Sequence, residues 1–406
     1  MEHVVVMRKE VVIVGGGVAG LATALALKRV GVTSLVLEKA NELRVSGPGL
    51  TLFSNAWIAL ESLGVAHKLT SIYKPYEREE WMATGLRTVH RRALLEALLE
   101  ELPTGTVRFS SKLLSVEKTK TTRHDNDSFG VIIHLEDATT IHTKVLIGCD
   151  GVHSLVSKWL GLGDVVNSGR CAMRGLGVFP QGHGLNHEMQ QFVDIGRRYG
   201  VLPINNEEVY WFMSYQSIPD KDAEMAKGDP KVIQKIMLES VSGSPQAVTD
   251  VIQQSDMQSI SWVPLSFRYP WDLILGRVSD GTITVAGDAM HPMTPDLGQG
   301  GCSALEDAVV LGRYIGNSCI RNGGMISAED LEVEIEKYVK ERRWRTAGLI
   351  TASYLSGWVQ QCGIGSSSKG VEWLMKFLRD TVYYKIVYPR LGGFLRYDCG
   401  KLPTGF

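Results

Sequence analysis

The run VVIVGGGVAGLATALALKRVG, from Val11 to Gly31, constrains this chain more than any other stretch. Four β-branched residues in succession, Val11 to Val14, form the pattern of a strand covered on both faces, as in a parallel sheet. They lead directly into Gly15, Gly17 and Gly20 at GxGxxG spacing, with Val18 and Ala19 inside the turn, and then into a helix whose Leu21, Ala24 and Leu25 share a face. The three glycines do different things. Gly15 turns the chain, Gly17 lets backbone approach a pyrophosphate, and Gly20 lets helix and strand pack closely. The phosphates then sit at the positive end of the helix.

A second strand, in SLVLEKA, ends at Glu38, with Lys39 beyond it. An acidic side chain there accepts hydrogen bonds from a ribose 2′-hydroxyl, which predicts NAD or FAD without choosing between them. The stretch TITVAGDAMHPMTPDLGQGG, Thr282 to Gly301, makes the choice. It reads as a strand at 282–286, a turn at Gly287, and a carboxylate, Asp288, presented to hydroxyls of the kind a ribityl chain offers. The bare amides of Gly298, Gln299, Gly300 and Gly301 then open a helix through Leu305, Ala308, Val309 and Ile315. Such a helix start favours the negative charge on the pyrimidine edge of a reduced flavin.

Together with HRRALLEAL at 90–98 and CDGVHSLVSKWLG at 149–161, these motifs resemble, in family order, the class A (single-component) FAD-dependent aromatic hydroxylases of the para-hydroxybenzoate hydroxylase fold, in the plant salicylate-hydroxylase-like and zeaxanthin-epoxidase-like branch. The resemblance implies FAD adenosine on Glu38 and pyrophosphate near Gly17 to Gly20 and Arg91. It also implies cofactor contacts from Arg44 and Asp150, ribityl contacts from Asp288, and the ring beside Pro295 and the 298–301 backbone. It further implies NADPH or NADH as a transient co-substrate, and dioxygen captured as a flavin hydroperoxide that hydroxylates or epoxidises a small aromatic or apolar substrate.

Counting back from Pro203, Arg197 and Tyr199 fall where that family places flavin- and substrate-contacting residues; Gln191 and Phe212 are further lining candidates, and Pro295 is expected to shape the oxygen site. His291 is expected to be a structural hydrogen-bonder. One departure stands out: seven residues after Asp150, where the family usually has arginine, this chain has Ser157, followed by Lys158. That change keeps open an FAD-dependent oxidase or cyclase drawing electrons from its substrate, and, further off, a non-catalytic flavin-binding regulator.

The fold class expected is α/β: a Rossmann-like FAD-binding domain, discontinuous over 1–165 and 275–345, with an inserted antiparallel-sheet substrate domain at 166–274 and a C-terminal helical region at 346–406. No second GxGxxG follows a strand, and CGIGSSSKG at 362–370 reads as a loop. GSPQAV, at 243–248, looks like a linker, and the charged series from Glu332 to Arg343 looks like a solvated helix face. The formal charge of −1 gives no general attraction to nucleic acid. Six scattered cysteines without CxxC or Cys/His clusters point away from bound metal and from a disulfide framework. No apolar run is long enough to span a membrane and the N-terminus lacks the pattern of a signal peptide, so the expected location is cytoplasmic, as monomer or homodimer.

Overall fold

The computed structural model describes residues 6–43, 47–77, 85–119, 129–194, 196–361, 377, 381, 383, 385 and 392–404. The β-branched run lies in strand Val6–Val14, whose last four residues are buried. It pairs in parallel with Ser34–Leu37 on one side and Thr140–Gly148 on the other. Strand Ile283–Val285 joins the far side of Thr140–Gly148, also in parallel. The register aligns Val14 with Gly148 and Gly148 with Val285, so the turns at Gly15 and Gly287 leave the same edge of one eight-stranded sheet, although they are distant in sequence. Ligands of open α/β sheets bind at this edge, outside the carboxyl ends of the strands.

Two further strands of that sheet, Leu113–Lys118 and Val131–Leu135, form an antiparallel hairpin that continues into Thr140–Gly148. The turn at Glu136 to Thr139, with Ala138 at a positive φ, parts Val131–Leu135 from Thr140–Gly148. Helix Val18–Arg29 is buried from Val18 through Leu27 because it is wedged between the sheet and the helix Gly300–Arg321.

The inserted region forms a separate antiparallel sheet ordered Gln190–Asp194, Arg197–Pro203, Glu208–Gln216, Val166–Val178, Ser261–Phe267. One face packs on helices Pro230–Ser240 and Gln246–Gln253 through Trp211, Val201 and Ile252. The supposed linker at 243–248 therefore runs into a helix; its Pro245 is the N-cap, and Val248, Val251 and Ile252 supply a buried stripe. The other face looks toward the parallel sheet's carboxyl edge.

Helix Ala328–Gln361 is continuous, so a boundary at 345 would divide a single element. Nor is its charged stretch wholly solvated. Glu332, Glu336 and Lys340 are exposed, but Glu334 and Arg342 are buried, because they share a face with Leu331, Ile335 and Tyr338 at helical spacing. Most of the tail after Gln361, including CGIGSSSKG, lies outside the described residues. Among the described residues no helix is long and apolar enough to cross a membrane, none cluster as metal ligands, and five cysteines are buried free thiols.

Candidate active site

A cavity of about 470 Å³ lies between the carboxyl edge of the parallel sheet and the antiparallel sheet. On the nucleotide side it is walled by Gly17, Val18 and Ala19, at the N-terminus of helix Val18–Arg29. A Cβ on Gly20 would stand 1.9 Å from the Gly15 carbonyl oxygen, so only glycine lets the helix close on the turn, whereas a Cβ on Gly17 would meet nothing within 4 Å. Gly15 and Gly20 thus shape the turn from behind, while Gly17 faces open space.

The Glu38 carboxylate accepts hydrogen bonds from the Gly16 amide at 2.7 Å and the Ala40 amide at 2.9 Å, one on each oxygen. Lys39 is exposed, and Arg44 lies outside the described residues. Arg91, heading helix Arg91–Leu99, lines the cavity, whereas Arg92 is exposed and pairs with Glu96 one turn on. Asp150 does not line it. Its carboxylate caps helix Leu155–Leu160, accepting from Ser154 Oγ and the Leu155 amide, and the neighbouring Cys149 and Gly151 reach the cavity in its place.

The wall beside the glycine turn is the loop from Asp288 to Gly301. Asp288, Pro295, Gly298, Gly300 and Gly301 line the cavity. Gln299 does not: its side chain is buried, with Oε1 accepting from Asn55 Nδ2 at 2.9 Å. Enclosure by protein raises the Asp288 carboxyl above its ordinary value, opposed by His291 and Arg91. Behind the loop sits a buried charge network. Asp307 accepts from the Gly287 amide at 2.8 Å, from His291 Nε2 at 2.6 Å and from Arg342 Nε at 2.6 Å. Burial alone would raise the Asp307 carboxyl, but His291 and Arg342 hold it down at about 2. An ionised carboxylate only accepts, so Nε2 of His291 carries the proton. Arg342 also reaches Glu306 at 2.7 Å, which in turn accepts from Arg345 and Asn55.

The floor of the cavity is the antiparallel sheet, whose register sets side chains in rows. Gln191 is opposite Gly200, Gly200 opposite Phe212, and Phe212 opposite Arg174. In the adjacent row Arg198 faces Ser214, and Ser214 faces Ala172. Gln191, Phe212, Arg174 and Arg198 all line the cavity; Arg197 and Tyr199 do not. Arg197 pairs with Asp194 at 2.7 Å on the surface, and Tyr199 stacks on Phe192 and bonds Ser244 on the helix-covered face. Successive strand residues point to opposite faces, so an offset of one position selects the set on the other face. The arginine of this strand that lines the cavity is Arg198. Its Nη1 donates to the Asp296 carbonyl and to Gln360 Oε1, both at 2.9 Å, and its guanidinium lies over the Phe212 ring at 5.2 Å.

Asp296 anchors the loop to the floor. Its carboxylate accepts two parallel bonds from Arg170, at 2.9 and 2.8 Å, in a fully enclosed pair. The pair lies directly on helix Ala328–Gln361, where a Cβ on Gly357 would stand 1.9 Å from Arg170 Nη1. Neither Arg170 nor Asp296 has a local sequence signature, since they are 126 residues apart. Arg342 did have one, its position on the apolar face of a helix. Ser157 lies in packing away from the cavity: its hydroxyl donates to the Ala289 carbonyl, which also accepts from Arg268.

A paired glycine turn and amide-lined loop facing an antiparallel sheet are the layout of a dinucleotide-binding α/β fold with an inserted sheet. A family profile described as "FAD binding domain" matches residues 8–97 and 88–323. The chain is 36% identical over 420 residues to Monooxygenase 2 of Arabidopsis thaliana, covering 97% of this chain and 98% of that one. Monooxygenase 1 of the same plant is 35% identical, covering 97% and 99%. Among solved structures, HpxO of Klebsiella pneumoniae complexed with FAD and uric acid superposes with a TM-score of 0.76 at 21% identity, covering 97% and 98%. A salicylate hydroxylase substrate complex does so with a TM-score of 0.69 at 20% identity, covering 97% and 96%. The chain belongs to the FAD-dependent monooxygenase family.

Proposed function

We propose that this protein binds FAD between the glycine turn and the Asp288–Gly301 loop and, with NADPH or NADH and dioxygen, inserts oxygen into a small aromatic or apolar substrate held on the antiparallel sheet. The observation that carries the reading is that one cavity is bounded by both sets of groups. The residues present fit the cofactor: the space at Gly17 admits a pyrophosphate, the Glu38 carboxylate stands at the glycine turn against the Gly16 amide, and Asp288 offers a carboxylate to the ribityl chain. The amides of Gly300 and Gly301 open a 22-residue helix and would face the ring. When bound, the flavin supplies the redox chemistry that activates dioxygen.

The protein's part is to place and to exclude. Arg198 fixes the floor to the loop through the Asp296 carbonyl, setting the distance between substrate and ring. Phe212 and Leu202 give the floor an apolar surface that keeps water from the reacting oxygen. Tyr210 lines the same floor; burial raises its phenol, opposed by Arg174 and Arg198, so it stays protonated and able to donate a hydrogen bond.

The residue that keeps an oxidase reading open, Ser157, is turned into packing and does not line the cavity. The deciding experiment is an anaerobic absorbance spectrum of the purified protein before and after NADPH or NADH, with and without a panel of phenols. Flavin bands that bleach with the donor, faster when a phenol is present, are expected. Bands that persist with every donor but bleach with a substrate would replace this reading by the oxidase.

A further inference from the structure

Helix Ala328–Gln361 changes character along its length. Up to Arg345 it is densely charged, whereas TAGLITASYLSGWVQQ, from Thr346 to Gln361, has no charged residue at all. One face of this second half is core: Leu349, Ile350, Ser353 and Gln360 are buried, and Gly357 lies on the Arg170–Asp296 pair. The face turned away from the core is open. Trp344, Thr351, Leu355 and Trp358 are exposed, with half-buried Gly348 among them. These five positions are spaced by four, three, four and three residues, which is the alternation of a helix-pairing seam.

A neighbouring helix, Pro270–Leu275, widens the apolar strip. Arg343 donates to the carbonyls of Ile274 and Gly276, which sets Leu275, 84% exposed, beside the start of the seam. Further along, the rings of Tyr354, Phe267, Tyr269 and Trp271 contact in series, at 4.8, 5.4 and 4.2 Å, and lead out to the half-exposed Trp271. Three tryptophans and two leucines, each at least half exposed, present on the order of 600 Å² of apolar surface, close to the ~800 Å² per partner of a standard interface. Interfaces are marked by tryptophan and by loss of charge at their centre. The basic residues beside the strip offer little to anionic lipid, since Arg343 is held by the two carbonyls and Arg345 by Glu306, which leaves Lys340 beyond the end of the seam.

We propose that this face pairs with the same face of a second copy of the chain, the two helices running antiparallel about a twofold axis at the level of Ser353. In that register Trp358 of each copy lies over the partner's Gly348, and Leu355 over the partner's Thr351. Each large side chain meets a small one, twice over, as an isologous contact requires. A parallel pairing would instead set Trp358 on the partner's Trp358 and Gly348 on the partner's Gly348, with a clash at one level and a gap at another. The pairing is independent of the chemistry in the cavity, which lies on the other side of the helix.

The test is sedimentation velocity of the purified FAD-loaded protein. Wild type is expected at twice the mass of one chain in the micromolar range. Leu355→Lys, Trp358→Lys and Gly348→Leu are each expected to raise the dissociation constant roughly a hundredfold, with the flavin absorbance of each variant reporting that it has folded. The register is tested by oxidising a mixture of Thr351→Cys and Leu355→Cys proteins, which should cross-link to each other far more than either does alone. The mass of wild type decides the matter even if a variant fails to fold. A wild type that is monomeric at tens of micromolar would overturn the proposal, and a monomer that co-sediments with phosphatidylcholine–phosphatidylserine vesicles would replace the second copy by a lipid surface. A dimer that survives both lysine substitutions, or cysteine variants that cross-link as well alone as mixed, would overturn the seam or its antiparallel register.

Discussion

The two walls of the cavity are built from different materials. On the nucleotide side the working groups are mainly backbone: the turn at Gly15 to Gly20 and the amides of Gly298 to Gly301, backed by one carboxylate, Asp288. On the floor they are side chains, Arg174, Arg198, Phe212 and Gln191, projecting from four strands. A backbone site depends on local geometry, so any side chain that disturbs the turn destroys it. A side-chain site depends on register, and can be retuned one residue at a time while the sheet stands.

The largest expected effect tests what stands behind the backbone wall. Arg342→Met removes the cation between Glu306 and Asp307 and leaves two buried carboxylates unbalanced, which costs about 3–5 kcal/mol; urea unfolding measures it. A cost below about 1 kcal/mol would mean that the wall stands without its charge network, and would weaken the contrast with the floor.

Acid sharpens the same point. Asp307 sits at about 2 against an ordinary 3.8, so it stabilises the folded protein by about 2–3 kcal/mol. That contribution is complete above about pH 4 and is lost as pH falls through about 2, because there the unfolded carboxyl has taken up its proton before the folded one. Unfolding free energy followed from pH 5 to 2 should drop in this window, and Asp307→Asn should flatten the drop.

Gly20→Ala forces a Cβ onto the Gly15 carbonyl and should cost about 1–3 kcal/mol, with loss of bound flavin on gel filtration. Arg198→Lys should leave stability nearly unchanged while lowering kcat/KM about tenfold, since a point charge cannot bridge Asp296 and Gln360 as the fork does. Smallest of all, Arg197→Ala should change kcat/KM by less than about twofold, because that side chain lies on the surface with Asp194. If Arg197→Ala matters more than Arg198→Lys, the register described for the floor is wrong.

How far the residues could be read in advance follows the same division. The strand, turn and helix from Val11 to Arg29 were legible because hydrophobic period, glycine spacing and helix start all lie within twenty residues. So was the Asp288–Gly301 loop, and the family resemblance rested on these local patterns. Gln191 and Phe212 line the cavity and Arg197 and Tyr199 do not; nothing in a single strand says which alternate set faces a cavity. Arg174 escaped notice for the same reason.

What the sequence by itself determined is the local backbone: a parallel-sheet strand, two glycine-rich turns, their helices, and an antiparallel insertion between them. Only the tertiary structure decided that strand Thr140–Gly148 would bring the two turns side by side, that Arg170 would meet Asp296, and that Arg342 would be buried between Glu306 and Asp307. Local geometry is written in neighbouring residues, because sterics and hydrogen bonding act over a few positions. The pairing of charges across a hundred residues is fixed by packing, where desolvation penalises any buried charge that arrives without its partner.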